Sequence, residues 1–283
     1  MRAVVFGAGG LLGRHLGAEL QRRGIEARLH DRAACPIEDA ARVRAAAEGA
    51  TVLFNAAAFT NVDAAERQPA EAFSANALGA ENIARAATAT GAVVVHVSTD
   101  FVFDGALDRP YDEFDPPVPG SLYARSKRAG EILVERAAPR HHVVRVQGLY
   151  GQGGKNFSSQ LFGLIAGARP GLRLDRERRV QPTWAGVAAR SLIAIAETDR
   201  FGTWHASCRG EATWDAFARR IAAHLGLAPS WQSVGSSDLA LDAQRPPNCL
   251  LAHRRLAMCG LPLLPSWEDA LDEYLAEQSE SRR

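Results

Sequence analysis

Short apolar runs alternate with amphipathic stretches along the first half of the chain. Residues 3–6 (AVVF) form an unbroken apolar run of the kind that is buried on both faces of a sheet. Residues 11–23 repeat leucine and alanine at helical spacing and stop at Gly24. The pattern predicts further strands over 26–30, 51–55, 92–97 (AVVVHV) and 142–146, and helices over 39–48, 69–90 and 126–137. Strands separated by helices predict a parallel sheet covered on both faces. The fold class is therefore α/β, a doubly wound sheet of the Rossmann type.

The rhythm changes beyond residue 151. Helical stretches over 157–168, 187–197 and 214–225 are separated by Pro- and Gly-rich turns. Residues 1–150 are thus expected to form the core domain, with later segments returning to it. Residues 151–283 are expected to form mainly a smaller, mixed C-terminal lobe. The polar tail over 277–283 is expected to fray. Length agrees with this division, since 283 residues accommodate one full domain and a smaller lobe. With 33 basic and 32 acidic residues the formal net charge is +1, so no long-range field points to nucleic acid or to an anionic membrane. No stretch approaches the ~18 apolar residues of a membrane span. Cys35, Cys208, Cys249 and Cys259 have neither CxxC nor metal-ligand spacing, so no metal is expected. The N-terminal segment opens on an apolar strand rather than a signal peptide, and a cytoplasmic setting is the expectation.

Candidate chemistry begins where the first strand ends. Gly7, Gly10 and Gly13 stand at GxxGxxG spacing between that strand and the next helix. The first glycine permits a tight turn, the second lets a pyrophosphate approach the backbone, and the third lets helix and sheet pack closely. Free N–H groups at the helix start, from Leu11 and Leu12 on, favour an anion. The context predicts dinucleotide binding. Strand two ends in Asp31-Arg32. Asp31 suits a ribose hydroxyl (NADH) and Arg32 a 2′-phosphate (NADPH), and the two cofactors stay open.

Tyr123 and Lys127 lie four apart, on one face of a helix. An ammonium beside a phenol favours the phenolate, and such a tyrosine can give and take a proton. Ser98 and Thr99 end a parallel strand, where ligands bind in such sheets.

The order of these motifs resembles the extended short-chain dehydrogenase/reductase family. The resembling segments are residues 55–66 (NAAAFTNVDAAE), 95–105 (VHVSTDFVFDG), 123–127 (YARSK), 151–157 (GQGGKNF) and 245–248 (RPPN). The finer resemblance is to the dTDP-4-dehydrorhamnose reductase branch. It implies reduction of a keto group on a nucleotide-linked deoxysugar by NADPH or NADH. Tyr123 would be the general acid, Lys127 its partner and a cofactor-ribose ligand, and Thr99 the hydroxyl that orients the keto oxygen. Ala56, Ala57 and Ala58 would pass under the cofactor, with Asn76 supporting that region. Val62, Asp100 and Phe101 would face the sugar, and Arg245 and Asn248 the nucleotide. The branch carries an aromatic where this chain has Gly148, and a tyrosine where it has Phe101; both departures surround the sugar. A nucleotide-sugar epimerase or dehydratase and a non-catalytic regulatory subunit are the alternatives. A homodimer is left open.

Other conspicuous residues are assigned bland roles. His141-His142 are expected to be exposed, and the run 173–179 (RLDRERR) to be a solvated face. Trp184, Trp204, Trp214, Trp231 and Trp267 are expected in the core or an interface. Gln181-Pro182-Thr183 is a weaker candidate for a substrate- or subunit-facing segment.

Overall fold

The computed structural model describes residues 1–153 and 156–280. Its first half contains β1 (Arg2–Phe6), α1 (Leu11–Arg22), β2 (Glu26–His30), α2 (Ala40–Ala47), β3 (Val52–Asn55), α3 (Val62–Arg67), α4 (Pro69–Phe73), α5 (Ala80–Thr90), β4 (Val93–Thr99), α6 (Leu122–Ala137) and β5 (His141–Val146). The second half adds β6 (Leu149–Tyr150), α7 (Phe157–Ala166), β7 (Arg173–Asp175), β8 (Thr183–Trp184), α8 (Ala185–Ala196), β9 (Gly202–His205), α9 (Trp214–His224), β10 (Gln232–Val234), α10 (Arg254–Met258) and α11 (Trp267–Glu280).

Six strands form one parallel sheet in the order β2-β1-β3-β4-β5-β9. Side chains of β1 alternate between its faces. Ala3 and Val5 join one core cluster, while Val4 and Phe6 join the other. The order reverses between β1 and β3, the kind of switch point where such sheets bind ligands. Phe6 pairs with Asn55, and Asn55 with His96, so the carboxyl ends of β1, β3 and β4 lie close together.

Several elements differ from the sequence expectation. The helix over 69–90 is interrupted by a π-helical turn at Ser74–Gly79. The helix expected from residue 126 begins at Leu122, capped by the Ser121 hydroxyl, which places Tyr123 in its first turn. α3 and β9 were not anticipated: α3 is six residues long, and the four residues of β9 carry no strong alternation. His142 is fully buried rather than exposed and accepts a 3.0 Å bond from Trp204 Nε1. Asp175, within the charge run, is 2% exposed and holds the Glu177 and Arg178 amides. Residues 277–280 continue α11, and 281–283 lie outside the described residues. No helix among the described residues is long and apolar enough to cross a membrane.

Candidate active site

The turn after β1 is shaped by backbone contact. Gly7 has φ +80°, and a Cβ there would lie 2.5 Å from the Ala57 nitrogen. A Cβ on Gly13 would lie 2.2 Å from the Gly7 oxygen. Gly10 differs, since its Cβ would meet that oxygen at 3.2 Å. Gly10 precedes α1, and no side chain caps the helix there. An uncapped helix start behind a glycine suits a pyrophosphate. Leu12 is buried in the core, so only its backbone faces the turn. Asp31 is exposed at the end of β2, beside Gly9, and accepts the Ala34 amide at 2.8 Å. Arg32 is exposed next to it.

Ala56 and Ala57 pass directly against Gly7 and close the switch point. Asn55 holds this segment from below, accepting the Ala57 amide at 3.1 Å and contacting His96 Nδ1 at 3.0 Å. Asn76, in the π-helical turn, brackets Phe59 by accepting its amide at 2.8 Å and donating to its carbonyl at 3.0 Å. It also donates to the Ser126 hydroxyl at 2.9 Å. Asn76 is 1% exposed. Asn76 therefore braces Phe59 from within the core and does not face open space.

Tyr123 packs in a small cluster with Phe59, Val62 and Phe101. The Phe101 ring meets it edge-on, with centroids 6.1 Å apart. Burial pushes the phenol up to about 12; a hydrogen bond with Thr99 opposes this and the nearby Asp100 charge adds to it. Lys127 is 2% exposed, and its ammonium donates to the Val97 carbonyl at 2.7 Å. Burial pushes that ammonium down to about 8. The depressed tyrosine expected from the Tyr–Lys spacing is thus absent here, because desolvation dominates and the Lys127 ammonium is turned to the Val97 carbonyl.

Thr99 donates to Asp100 Oδ1 at 3.0 Å and accepts the Phe101 amide at 3.2 Å. Asp100 is 4% exposed, and burial pushes its carboxyl up to about 7. Gln147 donates to Asp100 Oδ2 at 2.7 Å and to the Cys249 carbonyl at 3.1 Å, and accepts the Gln181 amide at 2.7 Å. Sequence reasoning missed Gln147; a lone amide at the end of β5 was its only signal. Arg178 was missed as part of a charge run. Its guanidinium is largely buried and pairs with Asp175 at 3.3 Å, and the charges of Arg245 and Asp100 also act on it.

Three expected substrate residues sit differently from expectation. Asn248 is buried, with its amide on the Leu107 and Arg109 carbonyls, so it braces a loop. Arg245 makes two bonds to Asp63, of 2.6 and 2.7 Å, and one to the Ala243 carbonyl. Gly148 has φ +57°, and a Cβ there would point at Gln181 and Pro182 backbone, so its small size does not open space toward Tyr123. In the segment 151–157, Gly154 and Lys155 lie outside the described residues.

A parallel sheet with a glycine turn at its switch point, and a Tyr–Lys helix beside the fourth strand, defines the extended short-chain dehydrogenase/reductase class. Within it, the chain belongs to the family described as RmlD substrate binding domain, which matches residues 1–280. It is 38% identical to a dTDP-4-dehydrorhamnose reductase of Streptomyces griseus, across 96% of this chain and 92% of that protein. Identity to the Mycobacterium tuberculosis protein of that name is 36%, across 99% and 94%. The solved structure of dTDP-4-dehydrorhamnose reductase from Bacillus anthracis in complex with NADP matches with TM-score 0.93 at 30% identity, covering 98% of this chain and 99% of that one.

Proposed function

We propose that the protein reduces the keto group of a nucleotide-linked deoxysugar, with dTDP-4-dehydrorhamnose as substrate and NADPH or NADH as reductant. One observation carries the reading: Tyr123 and Thr99 meet at the carboxyl end of β4 in a chain 38% identical to a reductase of that name. A bound nicotinamide dinucleotide supplies the hydride. Gly7, Gly10 and the start of α1 receive its pyrophosphate, and Ala56–Ala58 form the wall beside it. Arg32 suits the 2′-phosphate of NADPH and Asp31 the ribose hydroxyl of NADH.

The phenol, held near 12, is protonated at neutral pH and so enters as the acid. Tyr123 gives its proton to the keto oxygen, and Thr99 orients that oxygen. Lys127 holds the cofactor ribose and stabilises the phenolate left behind. Val62 and Phe101 line the sugar side, and Arg178, ion-paired with Asp175, is a largely buried cation on which the Asp100 charge also acts. A dehydratase of this type uses a second acid after the aspartate, where this chain has Phe101. Four free cysteines support a cytoplasmic setting.

The test is NADPH or NADH consumption by purified protein with dTDP-4-dehydrorhamnose, with the reduced sugar identified in the product. Cofactor binding without oxidation by any dTDP-4-keto-6-deoxysugar would overturn the reading.

A further inference from the structure

The catalytic helix carries a third ionisable residue in the same stripe. Tyr123, Lys127 and Glu131 follow one another at four-residue spacing along α6 and share a face. Glu131 is 0% exposed. Arg145 of β5 grips its carboxylate through two bonds of 2.9 Å, and Arg128 adds one of 2.8 Å. A buried ion pair is a weak source of stability, and an apolar pair of similar volume often serves as well. The network therefore calls for another explanation, and Lys127 lies one turn away.

We propose that Glu131 is a positioning residue for Lys127: its fixed negative charge, anchored by Arg145, keeps the buried ammonium protonated. The consequence for turnover rests on the reductase reading; the electrostatics do not. Lys127 is nearly inaccessible, and its ammonium has the neutral Val97 carbonyl as acceptor. Burial lowers its proton affinity, and Glu131 is the charge that opposes this. His96 on β4 faces both residues; burial, then Lys127, hold it neutral. Behind Glu131 stand Arg145, Arg128 and His205 of β9, whose Nε2 is 3.4 Å from Arg145. The π-helical turn presents neutral Asn76 to α6. Glu66 of α3 accepts the Leu122 amide at the helix start. Glu81 and Arg85 of α5 pair with each other, and Glu71 of α4 is exposed. Asp100 bears on Tyr123.

The sequence contains two lysines, Lys127 and Lys155. Lysine-labelled protein therefore gives two side-chain NMR signals, assigned with Lys155→Arg, and the Lys127 midpoint is read directly. Glu131→Gln is expected to move that midpoint down by about one unit or more. The alkaline limb of kcat/KM should move with it, costing about tenfold in rate one unit above the wild-type midpoint. Arg128→Gln leaves the Arg145 grip and removes a cation from Glu131, so both readings should move up. Shifts of one sign in both variants, or none in either, overturn the proposal. If Glu131→Gln does not fold, the apolar pair Glu131→Met with Arg145→Leu decides: a lowered Lys127 midpoint supports the proposal and an unchanged one overturns it. The titration needs no substrate, so failure of the reductase reading shows separately, as absent turnover with the midpoint shifts intact.

Discussion

Lys127 stands in a chain that otherwise uses arginine for positive charge, with one further lysine at 155. Arginine keeps its proton wherever it is placed, whereas a buried lysine can adjust. Tyr123 has the complementary property, a phenol that burial holds protonated. Tyr123→Phe keeps the ring packing and removes the donor. Turnover should fall by about a hundredfold or more, with melting and cofactor affinity unchanged; single-turnover hydride transfer within about threefold of wild type would remove Tyr123 from the acid role. Asp100 governs a different pH response. Its carboxyl rises from 3.8 to about 7 on folding, so between these values the folded state holds more protons than the unfolded one. Its contribution to stability is complete below about 4 and is lost as pH rises through 7. Asp100→Asn removes that dependence. The melting temperature of the variant, relative to wild type, should climb from pH 4 to pH 7, as thermal scans across buffers would read.

At the scale of elements, the site depends on how closely α6 approaches the π-helical turn. A Cβ on Gly130 would lie 2.0 Å from the Asn76 carbonyl oxygen, a backbone atom that cannot swing aside. The widened turn aims Asn76 at both Phe59 and Ser126, joining the segment after β3 to α6. Gly130→Ala should therefore cost about 1–3 kcal/mol in urea unfolding and weaken dinucleotide binding, by displacing α6 from the π-helical turn. Gly10→Ala should behave in the opposite way. Its Cβ meets the Gly7 oxygen at 3.2 Å, a contact a small shift relieves, so melting should barely change. Binding should still weaken if the pyrophosphate approaches Gly10 as proposed, because the methyl would stand in its way. Equal melting losses in the two variants would contradict this account.

Across the whole molecule, the two halves share a core. One cluster runs from Ala3, Val5 and Leu12 through Tyr150, Trp184 and Trp204 to Trp267 and Leu275. β9 completes the sheet beside β5, and α8 packs beside α1. Two ion pairs, Asp63–Arg245 and Arg67–Asp242, fasten the 241–245 segment onto α3. Residues 1–150 alone would expose the face that α8 and β9 cover. The full chain should thus unfold in one transition, with tryptophan fluorescence, which reports on the C-terminal half, coinciding with far-UV circular dichroism in urea. Separate midpoints would show that the halves fold independently.

The sequence by itself determined the α/β alternation, the glycine turn, and the places of Thr99 at a strand end and of Tyr123 and Lys127 on one helix, because each depends on local spacing: apolar periods, glycine positions, or four residues along one helix. Tertiary structure decided what those side chains face. Burial, which no local pattern reports, held Tyr123 high, brought Lys127 down and placed His142 in the core. Contacts distant in sequence turned Asn248 into a loop brace, drew Arg245 to Asp63, aimed Gly148 at the Gln181 backbone and brought Gln147 to Asp100. β9 escaped notice because four residues carry little periodicity, and only the open edge of β5 gives them a partner. Spacing along an element is written in the chain; the dielectric and the partners around each charge exist only once distant segments have met.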